Sequence, residues 1–269
     1  EMLRSLVGSE MCIRDRAEAF NDVLKMGRTQ MQDAIPIRLG QEFKAYAIAV
    51  KRSQQRLEHI LEEMLVVNMG GTAIGTGLNA DFNYFNEVVD DLAKITGLPL
   101  TQAADLIDGT QHIDCFAAVS GVLKTSALSL SKIANDLRLL SSGPRTGFNE
   151  INLPKMQNGS SIMPGKVNPV IPEVVNQVAF RVVGNDTTIS MAVEAGQLEL
   201  NAFEPVIFYS LFESITILEH GIDTFIDNCI QGITANEDRC QELIDASVGT
   251  ITALVPHIGY QKAADIAKE

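Results

Sequence analysis

Tryptophan is absent, and aromatic residues make up only 6% of the 269 positions. Surfaces that stack sugars or bases are built from aromatic rings, so the composition argues against a carbohydrate platform or a base-stacking face. Basic residues are also scarce. Lys and Arg number 21 against 34 Asp and Glu, a formal net charge of -13. Such a chain binds nucleic acid poorly, because phosphate contacts need cations, and it is repelled by anionic membranes. An anionic substrate therefore has to be held by locally placed positive charge. Cysteine is limited to Cys12, Cys115, Cys229 and Cys240, with no CxxC pair. That pattern fits a reducing cytoplasm better than a disulfide-stapled secreted domain. His59, His112, His220 and His257 are scattered without metal-ligand spacing. No uncharged apolar run is long enough to cross a bilayer. No period-2 strand pattern of useful length is found either.

What is present is helical rhythm. Apolar residues are 46% and charged residues 20%, enough to bury a sizeable core in one or two domains. Four long segments repeat apolar residues at steps of three and four. Residues 36–67 show Leu39, Phe43, Tyr46, Val50, Leu57, Ile60 and Met64. Residues 112–140 show Phe116, Val119, Leu123, Leu130, Ile133 and Leu137. A third segment starts at Pro172, with a polar interruption at Asn185 and Asp186, and a fourth covers residues 205–229. Pro36, Pro172 and Pro205 are expected in the first helical turn, where proline is tolerated. A shorter helix is predicted over residues 83–96, ended by Gly97 and Pro99. Helices reaching roughly 40–50 Å need neighbours of equal length. The fold class is read as all-α, an elongated bundle of long helices.

The domain reading has three parts. Residues 1–16 are set apart as a non-native leader. Residues 17–250 form the central helical-bundle domain. Residues 251–269 begin a truncated C-terminal small domain, with a helix from Tyr260 running into the final IAKE. Both ends read as those of a fragment.

Two stretches break the helical pattern and are where chemistry is sought. Residues 68–79 (NMGGTAIGTGLN) are glycine-rich and uncharged, lack a phosphate-loop signature, and read as a close-packed helix junction. Residues 141–171 carry Gly143, Gly147, Gly159 and Gly165 together with Pro144, Pro154, Pro164 and Pro169. Within them lies GSSIMPGKVNP, residues 159–169. Its glycines let backbone N–H groups converge, which stabilises a serine alkoxide. Lys166 supplies a point charge for a carboxylate, and Asn168 donates hydrogen bonds. On composition alone an ordinary surface turn is the favoured reading, by roughly two to one. GRTQMQDA, residues 27–34, places Thr29 and Gln30 before the first long helix, near a helix start that favours anions; a plain capping turn accounts for the same residues at least as well. Cys229 lies on an apolar face and reads as core. His112 has no evident partner.

From about Ala17 on, the chain resembles the aspartase/fumarase superfamily. GSSIMPGKVNP is similar to its signature loop, and GRTQMQDAIPIRLGQEF to its second motif region. NDLRLLSSGPRTGFNEINLP and EAGQLELNAFEP resemble the aspartase branch more than the fumarase branch. The resemblance implies a lyase that reversibly eliminates ammonia from L-aspartate, giving fumarate through an aci-carboxylate intermediate. It implies a homotetramer with active sites shared between subunits. It implies no required cofactor and leaves a divalent cation such as magnesium open as an activator.

Carried over by position, Ser160 is the general base. Ile162 and Met163 supply the N–H groups of its oxyanion pocket. Ser161 binds the β-carboxylate, while Lys166, Asn168 and Thr29 hold the α-carboxylate. Gln30 faces the amino group, with Glu173 orienting it. Gln30 stands where many superfamily members have histidine, which tilts the reading away from fumarate hydratase acting on fumarate and malate. The superfamily's first motif region has no counterpart here, so a catalytically inactive helical oligomer is a further alternative for this stretch.

Overall fold

The computed structural model describes residues 1–266. The elements, in order, are α1 (Met2–Ala19), β1 (Leu24–Thr29), β2 (Gln32–Arg38), α2 (Leu39–Ile60), β3 (Val66–Val67), α3 (Phe82–Thr96), β4 (Thr101–Gln102), α4 (Asp108–Gln111), α5 (Asp114–Leu140), β5 (Ile151–Asn152), α6 (Val170–Glu194), α7 (Glu204–Asn228), β6 (Thr234–Ala235), α8 (Glu237–Asp245), α9 (Val255–Ile258) and α10 (Tyr260–Ile266). Helix dominates, and the class is all-α. The last three residues of the IAKE stretch lie outside the described residues. Among the described residues no helix is long and apolar enough to cross a membrane.

The chain forms two compact units. The first comprises Glu1–Arg4, Arg52–Leu130 and Gln177–Gly221. The second comprises Ser5–Lys51, Ser131–Asn176 and the residues from Ile222 on. The helices α2, α5, α6 and α7 contribute residues to both.

In the first unit the predicted stripe of α5 is the buried one: Val119, Leu123, Ala127 and Leu130 are buried, as are Val182 and Ile189 of α6 and Ile207, Leu211 and Leu218 of α7. Phe116 meets Phe208 edge to face with centroids 5.0 Å apart. The polar interruption at Asn185 and Asp186 is also buried, and fully paired. Asp186 accepts from Ser120 at 2.8 Å and from Lys124 at 2.5 Å. Asn185 donates to Ser214 Oγ at 3.0 Å and to Glu213 at 2.8 Å. The large majority of buried polar groups in folded proteins are partnered in this way. Asp81 caps α3 by accepting the N–H groups of Asn83 and Tyr84, and Gly97 ends it in the left-handed region at φ 70°. The glycine-rich junction is close-packed as expected. A Cβ on Gly75 would sit 2.3 Å from the backbone nitrogen of Ile107.

In the second unit Phe43 packs edge to face against Phe20 at 5.2 Å and Tyr46 at 5.6 Å. Leu39, Met26, Leu137, Ile151, Phe225, Cys229 and Cys240 complete a buried core. Helix α1 takes in the segment set apart as a leader and buries Leu6, Ser9 and Ile13.

Three expectations are corrected here. Strands do occur: β1 and β2 form an antiparallel hairpin, with Leu24 opposite Arg38 and Thr29 opposite Gln32. Pro36 lies in β2 opposite Met26, not in a helix, and α2 starts only at Leu39. Thr29 and Gln30 therefore sit at a hairpin tip and not in the turn that opens α2. The physical reason is the turn. Gln30 and Met31 take φ of 52° and 64°, the paired left-handed conformation of a two-residue turn that matches strand twist. His112 also has a partner after all, its Nδ1 lying 3.1 Å from Asp108.

Candidate active site

The serine loop belongs to the second unit and runs between β5 and α6. Its two ends are tied together. Gly159 N–H donates to the Lys166 carbonyl at 2.8 Å, and Asn168 Nδ2 donates to the Gly159 carbonyl at 3.4 Å. A Cβ on Gly159 would stand 2.8 Å from the Lys166 oxygen, so only glycine permits this crossing. Lys166 N–H closes a tighter turn onto the Met163 carbonyl at 3.2 Å, helped by Gly165 at φ 81°.

Inside this closed turn, Ser160 Oγ accepts the backbone N–H groups of Ile162 at 3.1 Å and Met163 at 3.3 Å. Two backbone donors on one hydroxyl oxygen favour its charged form. Ser160 is half-buried, whereas Ser161 and Lys166 are exposed. Ile162 is 87% exposed, far outside the range of a core isoleucine. Among the described residues Lys166 has no carboxylate partner. The loop thus offers an activatable hydroxyl, a free cation and the amide of Asn168 within nine residues.

Thr29 and Gln30 are exposed at the hairpin tip. The strand leading to them carries a bulge between Met26 and Arg28. Gly27 is required there, since a Cβ would come 2.6 Å from the Ile35 carbonyl. Glu173, in the first turn of α6, lies 3.7 Å from Arg138 Nη2. Arg138 also donates to Asn176 at 3.0 Å, and Asn176 in turn donates to Ser131 Oγ at 2.8 Å. This chain fixes the start of α6 just beyond the serine loop. Among the described residues no hydrogen bond joins Thr29 or Gln30 to residues 159–168.

The sequence reading missed a cluster of buried charges behind the hairpin: Lys25, Arg28, Glu42 and Glu150. The signal was available in Glu42. It stands three residues after Leu39 and one before Phe43, on the buried stripe of α2, where a carboxylate demands a cation. Among the described residues no group of three or more His, Cys, Asp or Glu side chains could hold a metal ion.

The serine loop of this all-α protein wraps its own hydroxyl in backbone N–H groups, and comparison with known proteins shows a lyase. A family described as Lyase matches residues 3–184. The chain belongs to this lyase family, in the aspartase/fumarase superfamily. It is 56% identical to an aspartate ammonia-lyase of Pseudomonas canavaninivorans over 99% of its length and 56% of the relative's. It is 52% identical to the aspartate ammonia-lyase of Bacillus subtilis over 100% of its length and 57% of the relative's. Among solved structures, the class II fumarase of Schistosoma mansoni superposes with a TM-score of 0.96 at 34% identity, covering 100% of this chain and 59% of that one. The fumarate lyase:delta crystallin of Brucella melitensis gives 0.95 at 48% identity, over 98% and 58%. The chain spans just over half the length of the curated relatives it matches.

Proposed function

We propose that this chain is part of an ammonia-lyase that reversibly converts L-aspartate to fumarate and ammonia. The observation that carries the reading is the pair of N–H groups on Ser160 Oγ, set in a chain that is 52–56% identical to proteins named aspartate ammonia-lyase. A serine hydroxyl is too weak a base at its ordinary pKa, so its alkoxide needs donors already in place.

In this mechanism Ser160 takes a proton from the carbon beside the β-carboxylate. The electron pair moves into that carboxylate, giving the aci-carboxylate, which Ser161 helps hold. The carbon–nitrogen bond then breaks, the double bond of fumarate forms, and ammonia leaves. Lys166, Asn168 and Thr29 bind the α-carboxylate, and Gln30 accepts from the amino group. A glutamine can hydrogen-bond but cannot shuttle a proton, which suits departure of an amine better than activation of water. No cofactor is required for these steps, and a divalent cation such as magnesium would act only as an activator.

The assembly proposed is a homotetramer in the cytoplasm. Phe180 and Met191 of α6 and Tyr209 and Phe212 of α7 are 62–68% exposed, a concentration of large apolar side chains that further copies would cover. The four cysteines are free thiols, as a reducing compartment maintains them.

The test uses a chimera in which this chain replaces the matching residues of the Bacillus subtilis relative. Fumarate should accumulate from L-aspartate with one ammonia per turnover, and the chimera should sediment as a tetramer. Ser160→Ala should lower kcat by about 10³-fold. Malate formation without ammonia, or full turnover by the alanine variant, would overturn the assignment.

A further inference from the structure

Four charged side chains of the second unit are packed together where none of the proposed chemical steps uses them. The Lys25 side chain is 3% exposed, that of Glu150 0%, that of Arg28 12% and that of Glu42 26%. Lys25 Nζ stands 3.3 Å from Glu42 and 3.4 Å from Glu150. Arg28 Nη1 donates to the other oxygen of Glu150 at 2.8 Å. Two cations thus meet two carboxylates, and the cluster is electrically balanced. Buried pairs of this kind add little net stability, but they fix geometry, because displacing one partner strands the other.

Glu150 is the immovable member. Its N–H donates to the Leu140 carbonyl at 2.8 Å, and its own carbonyl accepts from Asn236 N–H at 2.9 Å. Arg28 is the member that reaches the hairpin tip, being the residue before Thr29. Its guanidinium lies over the Phe148 ring, 4.2 Å from the centroid. The competing contact to Asp33 is longer, 3.9 Å, and that carboxylate is 51% exposed. Charge, a single short hydrogen bond and stacking therefore tie Arg28 to residues 148–150, and the Gly27 bulge lets the strand bend to allow it.

We infer that Arg28 is a positioning residue. Clamped by Glu150 and Phe148, it holds the hairpin tip so that Thr29 and Gln30 present themselves to the α-carboxylate and amino group. The inference rests on the lyase reading for what the tip binds. Lysine would keep the charge but lose the flat face that stacks on Phe148, so Arg28→Lys separates positioning from charge balance.

The experiment is run on the chimera. In Arg28→Lys, hydrogen exchange of peptides spanning residues 28–33 should quicken about tenfold while α5 peptides stay unchanged. KM for L-aspartate should rise about tenfold, with a smaller fall in kcat. Glu150→Gln, which keeps an acceptor of the same shape, should give the same exchange pattern more weakly. Unchanged exchange at residues 28–33, or KM and kcat both within about twofold of the parent, overturns the inference. So does faster exchange throughout the second unit, since that marks a merely structural role. Exchange needs no turnover, so an inactive parent chimera that shows the local signature sinks the lyase reading and leaves the anchoring of the tip standing.

Discussion

Lys124 Nζ lies 2.5 Å from Asp186 Oδ2, joining α5 to α6 inside the first unit. The two partners are not equally buried: the lysine side chain is 37% exposed and the aspartate 8%. That asymmetry decides which substitution costs more. Without Lys124 the carboxylate stays buried with only Ser120 donating to it. Without the carboxylate's charge, the lysine turns to water. Lys124→Met should therefore lower stability by about 2–3 kcal/mol and Asp186→Asn by about 1 kcal/mol. Urea denaturation of both variants measures this, and equal or reversed costs would show that the pair is solvated.

Gly75 and Gly97 both adopt positive φ, 88° and 70°, yet they predict different outcomes. A Cβ at Gly75 would press to within 2.3 Å of Ile107 N and 2.4 Å of Leu106 C, backbone that cannot step aside. A Cβ at Gly97 meets nothing within 4 Å. Gly97→Ala should cost about 1 kcal/mol from its conformation alone, and Gly75→Ala at least about 3 kcal/mol. Melting both variants side by side checks the ratio. A mild Gly75→Ala would mean that the glycine-rich junction is loosely packed.

The long helices were legible because their apolar stripes face a core that needs them. The stripe over Val119, Leu123 and Leu130 is the buried face of α5. Their ends were less legible. Pro36 is equally acceptable in an edge strand and in a helical first turn, and the strand won because the chain reverses at Gln30 and Met31. That hairpin carried no period-2 signal: β1 buries Lys25 and Met26 consecutively, and β2 has no buried residue. Its turn also lacks the Asn-Gly pair that announces such hairpins. The serine loop could be read as far as its converging glycines. The pairing of Arg28 with Glu150, 122 residues apart, had no local trace at all.

The buried thiols give a pH prediction. Burial pushes the Cys229 thiol up to about 12. Burial, with Glu150 second, pushes Cys240 up to about 11. Thiolate is the reactive form, so both should resist a disulfide reagent at pH 8 until the chain unfolds. The same shifts set the sign of the stability dependence. Both thiols hold their protons more tightly folded than unfolded. Their contribution is therefore complete below about pH 8.5 and declines as pH rises toward the folded values, by about 1.4 kcal/mol per pH unit per thiol. Urea midpoints from pH 8 to 10 should fall less steeply in Cys229→Ala. An identical slope would place the titration elsewhere.

The hairpin turn sets stability against activity at two adjacent residues. Gln30 and Met31 both occupy the left-handed region, at φ 52° and 64°, where a side chain is strained and glycine is not. Met31→Gly and Gln30→Gly should each relieve that strain, stabilising the protein by about 0.5–1 kcal/mol. Only one of them removes a group assigned to the substrate. In the chimera, Met31→Gly should keep kcat/KM for L-aspartate within a few-fold of the parent. Gln30→Gly should lower it by about 10²-fold, the loss of a hydrogen bond to a charged amine in a closed site. Thermal melts and steady-state assays of the two variants give both quantities. If Gln30→Gly is more stable and equally active, the tip amide has no part in holding the amino group. If neither variant gains stability, the turn is not strained, and its shape comes from the strands and not from the residues at its apex.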